Sequence, residues 1–221
     1  MSLKLATPKD ARLAVDAIPG KLEIPGAWGG KVDGFRLQVL DRLAILGGFR
    51  VSELVTVRTS KKSDNTSGSL SLSVDTEYQT GEEVLLIRVN ALKKKGETFT
   101  REIGIPLNSD YEPWSKPVLK AWEYFGGNPF NISRQIAWAA NRIVFDGLGY
   151  RVKKQPELKN AGNHFMRHIR AEELRHFQLT PEERMSFFGW SPGFIGLSTM
   201  IYTYDSVDWF QYFPKLLKRM P

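Results

Sequence analysis

Apolar positions along this chain recur with a helical period, then with a strand period, then with a helical one again. From Asp33 the residues Phe35, Leu37, Leu40, Leu43 and Leu46 fall at the spacing of a helix with a buried face, and Gly47-Gly48 stops them. Upstream, Thr7-Pro8-Lys9-Asp10 joins a capping hydroxyl to a proline at the first helical position. The helix it opens is expected to end near Pro19-Gly20. Residues 21–32, rich in glycine and proline, read as a loop. After the double glycine, Ser52 stands where it would cap a short third helix.

The period changes after Arg58. Residues 60–69 are polar and read as a loop. Leu70-Ser71-Leu72-Ser73-Val74 alternates with period two, and Val84 to Leu92 and Phe99 to Leu107 are apolar, β-branched runs. These predict three strands of a small antiparallel sheet. Lys93-Lys94-Lys95-Gly96-Glu97 is the turn between the last two; lysines at such a tip ordinarily protect an edge. Beyond Pro113 the helical period returns. One helix starts at Ser115 and runs through Leu119, Trp122 and Phe125. Another starts at Asn131, runs through Ile136, Ala140 and Val144, and ends at Gly147. Phe165, Ile169 and Leu174 mark a further helix, and Thr180 with Glu183 is a capping-box pattern. Ser206 is expected to cap a last helix with Val207, Phe210, Phe213 and Leu217 on its apolar side. The fold class is therefore α+β, mostly α, with no internal repeat.

Composition narrows the partners. Thirty-one Lys and Arg against 24 Asp and Glu give a net charge of +7 over 221 residues, which favours a polyanion, nucleic acid before a membrane surface. No apolar run has the length of a membrane span, and the N-terminus lacks a signal-peptide pattern, so an intracellular, cytoplasmic protein with no membrane partner is expected. The chain has no cysteine, which excludes disulfides, thiolate metal sites and cysteine nucleophiles.

The chemistry concentrates between Asn163 and His176. All three histidines, His164, His168 and His176, lie there with Arg167, Arg170 and Arg175. His164 and Arg167 are three apart, hence on one face of a helix, where an imidazole and a guanidinium can hold an anionic oxygen and trade protons. Taken alone, such a pair is more often a solvated basic face. The i, i+4 spacing of His164 and His168 also suits zinc, but no glutamate follows the first histidine and no cysteine exists to complete a set; no metal is expected.

Four segments stand in order: Gly47-Gly48-Phe49-Arg50-Val51-Ser52-Glu53-Leu54, a lysine at the hairpin tip, His164-x-x-Arg167-His168, and Phe188-Gly189-Trp190-Ser191. Twelve residues after Trp190 comes Tyr202, within Ile201-Tyr202-Thr203. In order and wording they resemble the catalytic domain of the tyrosine recombinases, the phage-integrase family, over about residues 7–205. Met166 stands where that family has leucine, and Trp190 where histidine is commoner. The Phe-Phe-Gly-Trp wording is most similar to integrases of archaeal and archaeal-virus mobile elements.

The resemblance implies a single catalytic domain over residues 1–221, without the N-terminal DNA-clamping helical domain such recombinases usually carry. It implies site-specific recombination or integration of double-stranded DNA through a 3′-phosphotyrosyl intermediate, with no metal, cofactor or ATP. Tyr202 would be the nucleophile, with Tyr204 the alternative; a phenol of pKa near 10 needs help to lose its proton. Arg50 and Arg167 would answer the charge on the phosphate oxygens, since guanidiniums are planar and always charged. His164 would orient the phosphate and serve as proton-transfer partner, and Trp190 would donate its indole N–H to a phosphate oxygen. Lys93 would protonate the leaving oxygen, although Lys95 precedes the glycine as the family's pattern prefers. Lys95 would contact DNA, His168 and Arg170 would contact DNA phosphates or serve structure, Glu53 would brace Arg50 or a neighbouring helix, and the last helix would dock on a neighbouring subunit of a DNA-bound tetramer. Two rivals share these residues: a type IB topoisomerase-like nicking–closing enzyme, and a DNA-binding relative that has lost turnover.

Overall fold

The computed structural model describes residues 7–25, 30–55, 70–92, 98–125, 132–146, 148, 165–189 and 208–219. Helix α1 (Pro8–Asp16) begins at a capping box: the Thr7 hydroxyl accepts from the Asp10 N–H and the Asp10 carboxylate accepts from the Thr7 N–H. Residues 21–32 depart from the expected loop. Strands β1 (Lys21–Ile24) and β2 (Gly30–Asp33) form an antiparallel ribbon in which Ile24 and Val32 are buried. The glycines and prolines that read as loop punctuate two strands too short for a period to be counted.

Helix α2 (Gly34–Leu46) is capped by the Asp33 carboxylate, which accepts from Phe35 and Arg36 N–H. Its Leu37, Val39, Leu40, Leu43, Ala44, Ile45 and Leu46 are all fully buried. A helix buried nearly all round is central, and α1, the ribbon, α4 (Ser115–Tyr124) and α6 (Phe165–His176) pack against α2. Helix α3 (Val51–Leu54) is one turn long. Ser52 lies inside it rather than before it, and the Arg50 N–H is taken by Glu53 instead.

The predicted sheet is present as β3 (Leu70–Thr76), β4 (Glu83–Leu92) and β5 (Thr98–Pro106), antiparallel in that order. Its register pairs Ile87 with Ile103 and Val89 with Arg101. Leu85, Ile87, Val89, Ile103 and Ile105 join the core. Helix α5 (Arg134–Val144) is capped by Ser133, not Asn131, because the Ser133 hydroxyl accepts from the Ile136 N–H. Helix α7 (Pro181–Phe188) carries the expected Thr180–Glu183 capping box. The last helix, α8 (Trp209–Leu216), has Asp208 at its N-cap position, two residues after the expected Ser206.

Helix α8 packs within its own chain, on β5 and α7. Trp209 lies against Gly104, where an added Cβ would stand 2.3 Å from the indole, and Tyr212, Phe213 and Leu216 are buried. Lys215 pairs with Glu183 at 2.7 Å. The architecture is α+β, mostly helical, and no described helix is long and apolar enough to cross a membrane.

Candidate functional site

The site grows out of the end of α2. That helix stops in a Schellman turn: Gly48 donates to the Ile45 carbonyl at 3.1 Å and Phe49 to the Ala44 carbonyl at 3.0 Å. Gly48 takes φ +57°, which a side chain disfavours, and a Cβ there would stand 2.2 Å from the Phe188 ring. The double glycine therefore does more than end a helix. It lets two backbone carbonyls approach two guanidiniums.

Arg167, on the first turn of α6, is the meeting point. Its Nη1 donates to the Gly48 carbonyl and its Nη2 to the Phe188 carbonyl, each at 2.6 Å, and its carbon lies 4.8 Å above the Phe188 ring. Arg101, on β5, reaches the same turn from the sheet. Its Nη2 donates to the Gly47 carbonyl at 3.3 Å and stands 3.7 Å from Glu53 Oε2, and its carbon lies 4.7 Å above the Phe49 ring. Glu53 is buried and accepts twice from Arg50: from the backbone N–H at 2.7 Å and from Nη1 at 3.2 Å. The Arg50 side chain is half exposed, so one end of the cluster opens to solvent.

Two guanidiniums, Arg50 and Arg101, thus share the Glu53 carboxylate, and Arg167 meets the same turn through its carbonyls. Burial, then the charges of Arg101 and Arg50, push the Arg167 guanidinium below its ordinary pKa, against the opposite pull of Glu53. Arg101 is also pushed down, by burial first and by Arg50, with Glu53 opposing. Arginine keeps its proton at any working pH, so burial leaves both groups cationic at a cost. An oxyanion is a ligand that such guanidiniums can hold.

Of the residues expected from the sequence, Arg50 and Arg167 come together with Glu53. His168, the next residue on α6, remains partly exposed; partial burial and then the Arg167 charge lower its pKa. Arg170 is a correction. It is fully buried, donates to Glu173 Oε2 at 2.8 Å and lies over the Phe187 ring, so its charge is used inside the fold rather than held out as a DNA contact. Lys93, Lys95, His164, Trp190, Tyr202 and Tyr204 lie outside the described residues.

Arg101 is the residue that sequence reading missed. The signal was present: it sits two positions before Ile103 and four before Ile105, a cation on the inward face of a strand. A buried arginine at such a position needs partners, and the double-glycine turn supplies them.

No protein-family model, no curated protein and no solved structure matches this chain.

Proposed function

We propose that this chain is the catalytic domain of a tyrosine recombinase that breaks and rejoins DNA. The observation that carries the reading is the convergence on one turn of segments far apart in sequence. Arg167 of the histidine segment bonds Gly48 of the first segment and Phe188 of the last, across 119 and 21 residues. Arg101, from the strand leaving the lysine hairpin, bonds Gly47 across 54 residues.

In this reading a DNA phosphodiester lies against the exposed Arg50, and the buried Arg167 joins it by releasing one of the two carbonyls it holds. The Tyr202 oxygen bonds to phosphorus, the bond to the 5′-oxygen breaks, and that oxygen takes a proton from the hairpin lysine, Lys93. His164 is the proton-transfer partner of the phenol, and Trp190 donates to a phosphate oxygen. A 5′-hydroxyl later reverses the step, so the phosphodiester is reformed without ATP. The net charge of +7 fits a DNA partner. Assembly as a tetramer through the C-terminal helix is part of the proposal and requires α8 to exchange or extend the packing it makes within its own chain.

The test is a covalent protein–DNA adduct on a denaturing gel, formed with a nicked duplex carrying the cognate site or with a mixed-sequence pool. Wild type is expected to form it, Tyr202→Phe to lose it and Tyr204→Phe to keep it. Loss in Tyr204→Phe alone would move the nucleophile by two residues. Salt-sensitive binding with no adduct in any protein would overturn the enzymatic reading in favour of a DNA-binding relative. Strand exchange between two sites, against relaxation of supercoils by a monomer, separates a recombinase from a topoisomerase-like enzyme.

A further inference from the structure

We infer that Arg101 is a positioning residue for the oxyanion site, acting through Glu53: it holds part of that carboxylate's charge so that Glu53 aligns Arg50 without neutralising it. This rests on the oxyanion-binding part of the function proposed above, not on strand breakage.

The geometry assigns the role. Glu53 has two oxygens and two guanidiniums beside them, those of Arg50 and Arg101. Oε1 faces Arg50 Nη1 at 3.2 Å, while Oε2 takes the Arg50 N–H at 2.7 Å and has Arg101 Nη2 at 3.7 Å. The carboxylate is therefore shared, one oxygen to the guanidinium and one to the backbone and Arg101. Without Arg101, both oxygens would be left to Arg50, and a bidentate pair would take up the donors an incoming oxyanion needs. Arg101 is well placed to prevent this because it cannot leave. It is 3% exposed, stacked on Phe49, bonded to the Gly47 carbonyl and carried on a strand paired with β4. It is also too deep to meet the anion first, since Arg50 is the exposed member. Its Nε is buried without a hydrogen-bond partner among the described residues, which is the expense of placing a third cation there.

Inorganic phosphate is the probe, titrated into the full chain at neutral pH and followed by the arginine Nε–H NMR signals, with thermal melting recorded for each variant. Arg50→Ala is expected to abolish saturable binding. Arg101→Met should weaken it about tenfold, and Arg101→Lys, which keeps the charge but not the fork, about threefold. In a Glu53→Gln background both changes should have no effect on phosphate affinity, because the group through which Arg101 acts is gone. Wild-type affinity in Arg101→Met, or the same loss with and without Glu53→Gln, overturns the inference, as does a wild-type protein that binds no phosphate. Should Arg101→Met fail to fold, Arg101→Lys with and without Glu53→Gln decides by the same criteria. Phosphate binding that follows this pattern in a protein that forms no DNA adduct would sink the strand-breaking reading and leave this one standing.

Discussion

Helix α6 carries two buried arginines one turn apart, and they belong to opposite kinds of site. Arg170 joins a balanced network. Arg12 forks onto Glu112 at 2.8 and 2.9 Å and reaches Glu173 at 2.7 Å, and Arg170 donates to Glu173 at 2.8 Å. Two guanidiniums meet two carboxylates there, and Trp114 lies 4.2 Å from the Arg12 carbon. Arg167 joins a cluster of three guanidiniums and one carboxylate, bonded mainly to carbonyls. The balanced network ties α1 to α6 through the Glu173 carboxylate, which both arginines share. Among the described residues the second cluster brings one carboxylate to three guanidiniums, and the function proposed above places the phosphate there.

The comparison breaks most visibly at Glu173. Glu173→Gln leaves Arg12 and Arg170 buried with half their counter-charge and should cost about 3–5 kcal/mol in urea unfolding. Burial raises the Glu173 pKa, but Arg12 and Arg170 more than offset this, so it lies below its ordinary 4.5. The stability Glu173 contributes is therefore complete above that value and is lost as pH falls through the lower, folded one. Acid unfolding that does not change in Glu173→Gln would contradict the assignment.

A third buried group sharpens the point by having no cation beside it among the described residues. Asp41, on α2, is fully buried; burial pushes its carboxyl well above 3.8, and the Asn141 amide offsets only part of this. Here the sign is reversed. The unfolded chain releases the Asp41 proton first, so stability falls as pH rises above 3.8 toward the folded value. Asp41→Asn should gain about 1–2 kcal/mol at pH 7 and nothing below about pH 4, measured by thermal melting across pH.

The smallest effect should fall on the cation-rich cluster. Arg101→Met removes one of three like charges and should change stability by less than about 1 kcal/mol. A loss as large as that of Glu173→Gln would erase the distinction between the two arginine sites.

Much of the scaffold was legible from local chemistry. Thr7 with Asp10 and Thr180 with Glu183 announce helix starts because the capping groups lie three residues apart. The strands from Leu70 onward announce themselves by period and β-branching. The β1–β2 ribbon did not, since four-residue strands flanked by glycine and proline look like loop. Ser52 was a reasonable cap but lies inside α3, and the helix expected from Asn131 begins after Ser133, each a matter of where the first turn closes.

The sequence by itself determined the order of the elements, the double glycine that ends α2, and the presence of arginines at 50 and 167. Those depend on spacings of a few residues, where backbone geometry leaves little choice. Only the tertiary structure decided that Arg167 meets backbone carbonyls while Arg170 closes a salt bridge, and that Arg101 joins the former turn. Arg167 and Arg101 reach partners 119 and 54 residues away, and the Glu173 that Arg170 bonds is also held by Arg12, 161 residues away. A guanidinium is the same donor in both places; burial beside carboxylates or beside carbonyls makes the difference.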